Sequence, residues 1–169
     1  MSTALSSAIY ARLSGSESLT GDAGDAQEAL ATLLATDPDN DQPAVFFGSK
    51  NTAQIWVSGD NAIPLSPCIT FRQGGGSSDR RFQQGTGVVE RVLYDFEIWE
   101  EGASGTRITE IAEHLERLLD MRRGVVSGLT LESGKLFSMQ AFSPLSVLYD
   151  MGSHSWAGVI RYEFLEVRY

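Results

Sequence analysis

The chain has 169 residues, 42% of them apolar and 21% charged, and a formal net charge of −9 from 22 acidic against 13 basic groups. That length and apolar fraction suit one domain spanning residues 1–169 with a core of its own, and no run approaches the ~18 consecutive apolar residues of a membrane span. The negative field repels duplex nucleic acid, which excludes a DNA-gripping role unless the arginines gather on one surface, and the lone Cys68 excludes an internal disulfide and a cysteine-based zinc site.

Met1–Ser7 has no basic start before an apolar run, so no signal peptide is expected and synthesis is expected in the cytoplasm. Leu5, Ala8, Ile9 and Leu13 mark a short amphipathic helix, capped by Ser2 or Thr3 and ended near Gly15. Residues 14–25 are small and polar, and Gln27 to Ala35 then offers a second helix carrying Leu30, Leu33 and Leu34. Seven acidic residues and no basic one fall between Glu17 and Asp41. Asp37-Pro38-Asp39-Asn40-Asp41 invites a calcium reading, but Gln42 stands where an EF-hand needs its turn glycine and Gly48 where it needs a bidentate glutamate, so a plain turn is the better account. Ala44–Phe47 and Thr52–Val57 read as a hairpin about residues 48–51. Pro64 and Pro67 frame the entry to a strand at Cys68–Arg72.

Gln73 to Gly87 holds five glycines and two adjacent arginines. It has no lysine and feeds a strand, which removes the phosphate-loop reading; a mobile loop that orders against a partner fits better. Val88, Val92, Tyr94, Phe96 and Ile98 then share one face of a long strand. After a polar link, Ile108, Ile111, Ala112, Leu115, Leu118 and Leu119 recur at helical period. Ser104 or Thr106 can cap this central helix, Arg117, Arg122 and Arg123 suit its negative end, and Gly124 can stop it. Leu129–Glu132 and Leu136–Phe142 make a hairpin, Pro144 breaks the run, and Leu145–Tyr149 resumes it. The last strand, from Trp156, changes its apolar face at Phe164-Leu165, so a bulge there or cover on both faces is expected. The fold class is α+β: a mainly antiparallel sheet packed by a long central helix and a short N-terminal one.

No constellation for catalysis emerges, and neither a cofactor nor a metal is expected. Glu110 and His114 share a helix face but are too few for a metal. Asp150 and His154 are close in sequence, which is weak evidence for a triad in the absence of a nucleophile elbow. Trp56, Trp99 and Trp156 sit at strand ends, where packing or an interface is expected.

The order of elements, namely the helix Ala4–Leu13, a proline-led strand, a glycine-rich loop, the strand Tyr94–Trp99, the helix Ile108–Leu119, a hairpin and the closing Asp150–Phe164, resembles the tail terminator (tail completion) proteins of long-tailed phages. Residues 22–61 are longer than that pattern, as an insertion would be. The resemblance implies a non-enzymatic structural virion protein in the neck region of the tail. It implies a hexameric ring of copies that caps the tail tube protein and meets the head–tail connector or stopper protein, with DNA passing through the bore without specific binding and no membrane contact. Arg72, Arg80, Arg81, Phe82, Trp99 and Trp156 are the candidate interface residues. Two other readings stay open, a neighbouring neck or head–tail connector protein and a small α+β enzyme or ligand-binding domain.

Overall fold

The computed structural model describes residues 3–48, 65–74, 79–82, 88–102, 104–124, 126–131, 136–152 and 154–168; at 3, 79–82, 88–90, 136–137 and 166–168 it describes backbone alone. Two strands of equal length organise it: β6 (Val88–Glu101) and β10 (Ser155–Arg168) pair antiparallel along their whole lengths, Ser155 opposite Glu101 and Arg168 opposite Val88. Each carries shorter strands along its outer side. On β6 these are β4 (Cys68–Gln73), whose own outer neighbour is β3 (Val45–Phe47), and β5 (Asp79–Phe82). On β10 they are β8 (Leu136–Ala141), flanked by the two-residue β7 (Leu129–Thr130), and β9 (Ser146–Asp150). A separate pair, β1 (Thr36–Asp37) and β2 (Gln42–Pro43), closes the acidic turn.

Three helices cover one face: α1 (Thr3–Ser14), α2 (Gly21–Leu33) and α3 (Thr106–Leu119). The class is thus α+β, one layer of helices on one mostly antiparallel sheet. Strand alternation aims Tyr94, Phe96 and Ile98 of β6 and Ile160, Tyr162 and Phe164 of β10 at the helices, where all are buried with Ile108, Ile111, Leu115, Leu118 and Leu119 of α3. Aromatic rings run across this layer: Phe71 stacks on Phe96 at 5.6 Å, and Phe96 meets Tyr162 edge-on at 5.3 Å. Such pairs add about 0.5–1.5 kcal/mol each beyond the area they bury. The helix layer is tied down by Arg12, 1% exposed, which donates to Glu17 and, through Nη1, to the Ser127 carbonyl at 2.9 Å.

Two glycines fix how α3 sits. Gly105 is its N-cap at φ +57°, and a Cβ there would meet the Trp156 indole at 3.0 Å. Gly158 lies under the first turn, where a Cβ would come within 2.4 Å of Ile108 Cγ2. Only glycine lets helix and strand approach this closely.

Several expectations need correction. No side-chain cap is made by Ser104 or Thr106, since Gly105 holds the N-cap position without a side-chain bond. The helix ends at Leu119, and Gly124, at φ +70°, closes the following single turn Met121–Arg123 instead. Helix α2 begins at Gly21, six residues ahead of Gln27, because Ala23 and Ala26 bury against the core. Strand β3 pairs parallel with β4, and the Thr52–Val57 half of the expected hairpin lies outside the described residues. Strand β10 carries no bulge, as its register with β6 is unbroken through Phe164 and Leu165. Of the expected loop 73–87, Gln73 ends β4 and residues 79–82 are β5; 75–78 and 83–87 lie outside the described residues. The segment 22–61 supplies a core helix over its first part, and its residues 49–61 lie outside the described ones.

Candidate assembly surface

Ser146-Val147-Leu148-Tyr149-Asp150 has three consecutive residues that favour strands, and β10 accepts it as a pairing partner. Strand β9 lies at the rim of the sheet, and its outer edge has no partner among the described residues. Both of its faces are open: Val147 is 40% exposed, Leu148 63%, Tyr149 46% and the following Met151 80%. Four neighbouring large apolar side chains on an unpaired edge are what isolated soluble subunits avoid.

The break between β8 and β9 shapes what lies beside this edge. Pro144 cannot continue the ladder, and the chain gains two residues on β10: Tyr162 is opposite Ala141, whereas Val159 is opposite Ser146. The Arg161 carbonyl accepts from both Phe142 N–H (2.8 Å) and Ser143 N–H (3.3 Å), and Arg161 N–H donates to Ser143 Oγ at 3.0 Å. The irregularity opposite Arg161 is thus carried by the neighbouring stretch of chain and not by β10, while Glu163 and Phe164, on opposite faces of β10, are both buried, as cover on both faces requires.

Residues 141–145 and α3 line a groove of about 410 Å³. Ile160 and Tyr162 form its floor, Thr109, Ala112, Glu113 and Glu116 its helical wall, and Arg122 lies at one end. Tyr162 is fully buried, and its hydroxyl has no hydrogen-bond partner among the described residues. Burial, with the Glu116 and Asp120 carboxylates behind it, pushes that phenol far above its ordinary range. Asp120 pins the groove's end, accepting from Arg122 Nη2 at 2.6 Å and from Ala141 N–H at 3.1 Å. Burial would raise its pKa, but the Arg122 and Ala141 donors outweigh burial and hold the carboxyl below the usual range. Glu116 pairs with Arg123, whereas Glu113 is exposed on the wall.

The face opposite the helices carries paired charges. Asp95 and Arg161 are direct cross-strand partners at 2.5 Å, Arg91 meets Glu163 at 2.5 Å, and Gln140 Nε2 donates to Glu163 at 2.9 Å. Arg72 lies here, half exposed and 3.8 Å from Glu97. Trp99 is on the same face but only 7% exposed, packed with Ala44, Cys68 and Ala157, and its ring is occupied within the subunit. Trp156 is half-buried on the helix side, edge-on to Tyr149 at 5.1 Å, so it adjoins β9. Arg80, Arg81 and Phe82 are placed by backbone alone, in β5 opposite Val88–Glu90. The sequence expectations therefore meet the β9 surface only at Trp156. Val147, Leu148, Tyr149 and Met151 were missed, and the available signal was a short apolar run without the alternation that half-buried strands show.

The residues weighed for chemistry are scattered. Asp37 and Asn40 accept from the backbone N–H groups of Asp39 and Gln42 in their own turn. His154 sits in a turn at φ +51°, and among the described residues no three His, Cys, Asp or Glu side chains converge as metal ligands.

No protein-family model matches the chain, and neither does any curated protein sequence. A solved structure does. The fold recurs in a virion particle. The matching chain belongs to a structure described as the virion of a native gene transfer agent particle, with a TM-score of 0.55 and 12% sequence identity, covering 98% of this chain and 96% of that one. At that identity the likeness concerns the fold, and it embraces both layers of the molecule rather than a fragment.

Proposed function

We propose that this chain is a structural virion subunit, a tail terminator whose copies join head to tail in a hexameric ring that caps the tail tube protein and meets the head–tail connector or stopper protein. The observation that carries the reading is the apolar edge of β9, unpaired among the described residues, with Val147, Leu148, Tyr149 and Met151 exposed. An edge of that kind is stable in water once another subunit covers it. The virion chain with the same fold supports the setting, and so does the order of elements along the sequence. A net charge of −9 suits a bore through which DNA slides, because phosphates find no excess of cations to hold them. The whole of residues 1–169 acts as one terminator-like domain in this reading, and its work is done by surfaces rather than by turnover.

The test is native mass spectrometry of the chain alone and with its cognate tail tube protein, alongside Leu148→Asp. The expected result is a closed hexamer, formed alone or on the tube, and at least a tenfold loss of assembly in the variant with its thermal unfolding unchanged. A chain that stays monomeric under both conditions, or a variant that assembles as the parent does, refutes the reading.

A further inference from the structure

We infer that the groove between α3 and residues 141–145 is a binding site for an organic cation, a primary ammonium carried on a short aliphatic stem. The site is separate from the β9 edge and does not depend on the ring reading.

Size and lining come first. At about 410 Å³ the groove falls within the roughly 300–1,000 Å³ of small-molecule sites. Ala112, Pro144, Leu145 and Ile160 give it apolar walls, which suit methylene groups leaving water.

Charge decides what the stem carries. Arg122, at one end, is committed to Asp120, to which its Nε and Nη2 both donate, and Nη2 also reaches the Ala141 carbonyl at 3.1 Å. Glu116 on the helical wall is held by Arg123. Both pairs are neutralised within the fold. Glu113 lines the same wall, exposed, and makes no ion pair with any described residue. The charge left over along the groove is therefore a carboxylate, which draws a cation and turns an anion away. The net charge of −9 acts in the same direction.

A second, independent observation comes from the floor. Tyr162 lines the groove, is wholly buried, and has a hydroxyl with no hydrogen-bond partner among the described residues. Buried hydroxyls in folded proteins are nearly always bonded, so an orphan one at the base of a groove marks a place where a group from outside completes the bonding. A phenol offers lone pairs as well as a proton, and an ammonium brings three donors and no acceptor, a match for a hydroxyl oxygen and a carboxylate together.

The experiment is an NMR titration of the whole chain with n-pentylammonium and with 1-pentanol, a neutral probe of similar length, repeated on Glu113→Gln and Tyr162→Phe. The expected result is millimolar binding of the cation, with amide shifts centred on residues 109–116 and 141–145, and a loss of about tenfold or more for the alcohol and for each variant. Tyr162→Phe should unfold no sooner than the parent, because the hydroxyl it removes has no partner to lose. Nα-acetyl-lysine methylamide separates the two sources of such a group: binding at least as tight as n-pentylammonium supports a lysine side chain of a partner protein, and binding of the free amine alone supports a small-molecule amine. Absence of binding, equal binding of the alcohol, shifts centred elsewhere, or affinity undiminished in Glu113→Gln would overturn the inference. So would a lowered Tm in Tyr162→Phe, which would show the hydroxyl already bonded within the fold.

Discussion

Gly158 is where α3 rests on the sheet, so adding one methyl group there tests the packing argument directly. A Cβ at this position would stand 2.4 Å from Ile108 Cγ2 and 3.1 Å from Leu145 Cδ1. Ile108 is fully buried and, being β-branched on a helix, has essentially one χ1 rotamer, so its methyl cannot turn aside. Overpacking of this kind costs about 1–3 kcal/mol. Alanine in place of glycine in a strand recovers about 0.5–1 kcal/mol of backbone entropy, leaving Gly158→Ala destabilised by roughly 1–2 kcal/mol. For a chain of this size that lowers Tm by about 2–8 °C. Ile108→Ala alone costs about 2–5 kcal/mol through the cavity it leaves, but it removes the atom that collides. On that background Gly158→Ala should therefore be nearly neutral, a favourable coupling of about 1 kcal/mol or more. Urea unfolding of the four chains at one low protein concentration measures the cycle. A Gly158→Ala cost under about 0.5 kcal/mol, or the same cost on both backgrounds, would refute the claim that this contact sets the height of α3, and with it the width of the groove.

Asp120→Ala should cost about 2–3 kcal/mol at neutral pH, because the Ala141 and Arg122 backbone donors lose their acceptor. Since the folded pKa is lowered, that stabilisation is present above the unfolded carboxyl's range and fades as pH falls below about 4; unfolding curves of parent and variant should converge there, and a gap that persists would refute the assignment. Arg12→Ala should cost about 2–3 kcal/mol in chemical denaturation through loss of its hydrogen bonds to Glu17 and the Ser127 carbonyl, and Arg12→Met with Glu17→Gln should recover part of that loss. Cys68 is fully buried, and burial pushes its thiol up to about 12; the native protein should resist iodoacetamide at pH 8 and be alkylated once unfolded, whereas rapid labelling of the native chain would show the Trp99 cluster to be open.

How much of this was legible in the sequence can be judged element by element. The 3.6-residue recurrence from Ile108 to Leu119 and the alternation from Tyr94 to Ile98 follow from burying one face of a helix and one face of a strand, and both periods survive in the fold because each element meets a single partner layer. The turn at Asp37–Asp41 was legible for a local reason, since Asp and Asn side chains satisfy the neighbouring backbone themselves. Gly21–Asp25 was read only as small and polar, and its glycines argue against a helix; burial of Ala23 and Ala26 in the fold overrides that preference. The phase change at Phe164-Leu165 was legible, but its meaning was not, because which strands flank β10, and where Pro144 interrupts them, is set by pairing across distant segments.

The sequence by itself determined the class of fold and the amphipathic faces of α3 and β6, since these depend on period. Only the tertiary structure decided that Val147, Leu148 and Tyr149 lie bare at a sheet edge while Trp99 is enclosed. An apolar run reads the same in either place, and whether it is covered depends on which strand the chain lays beside it.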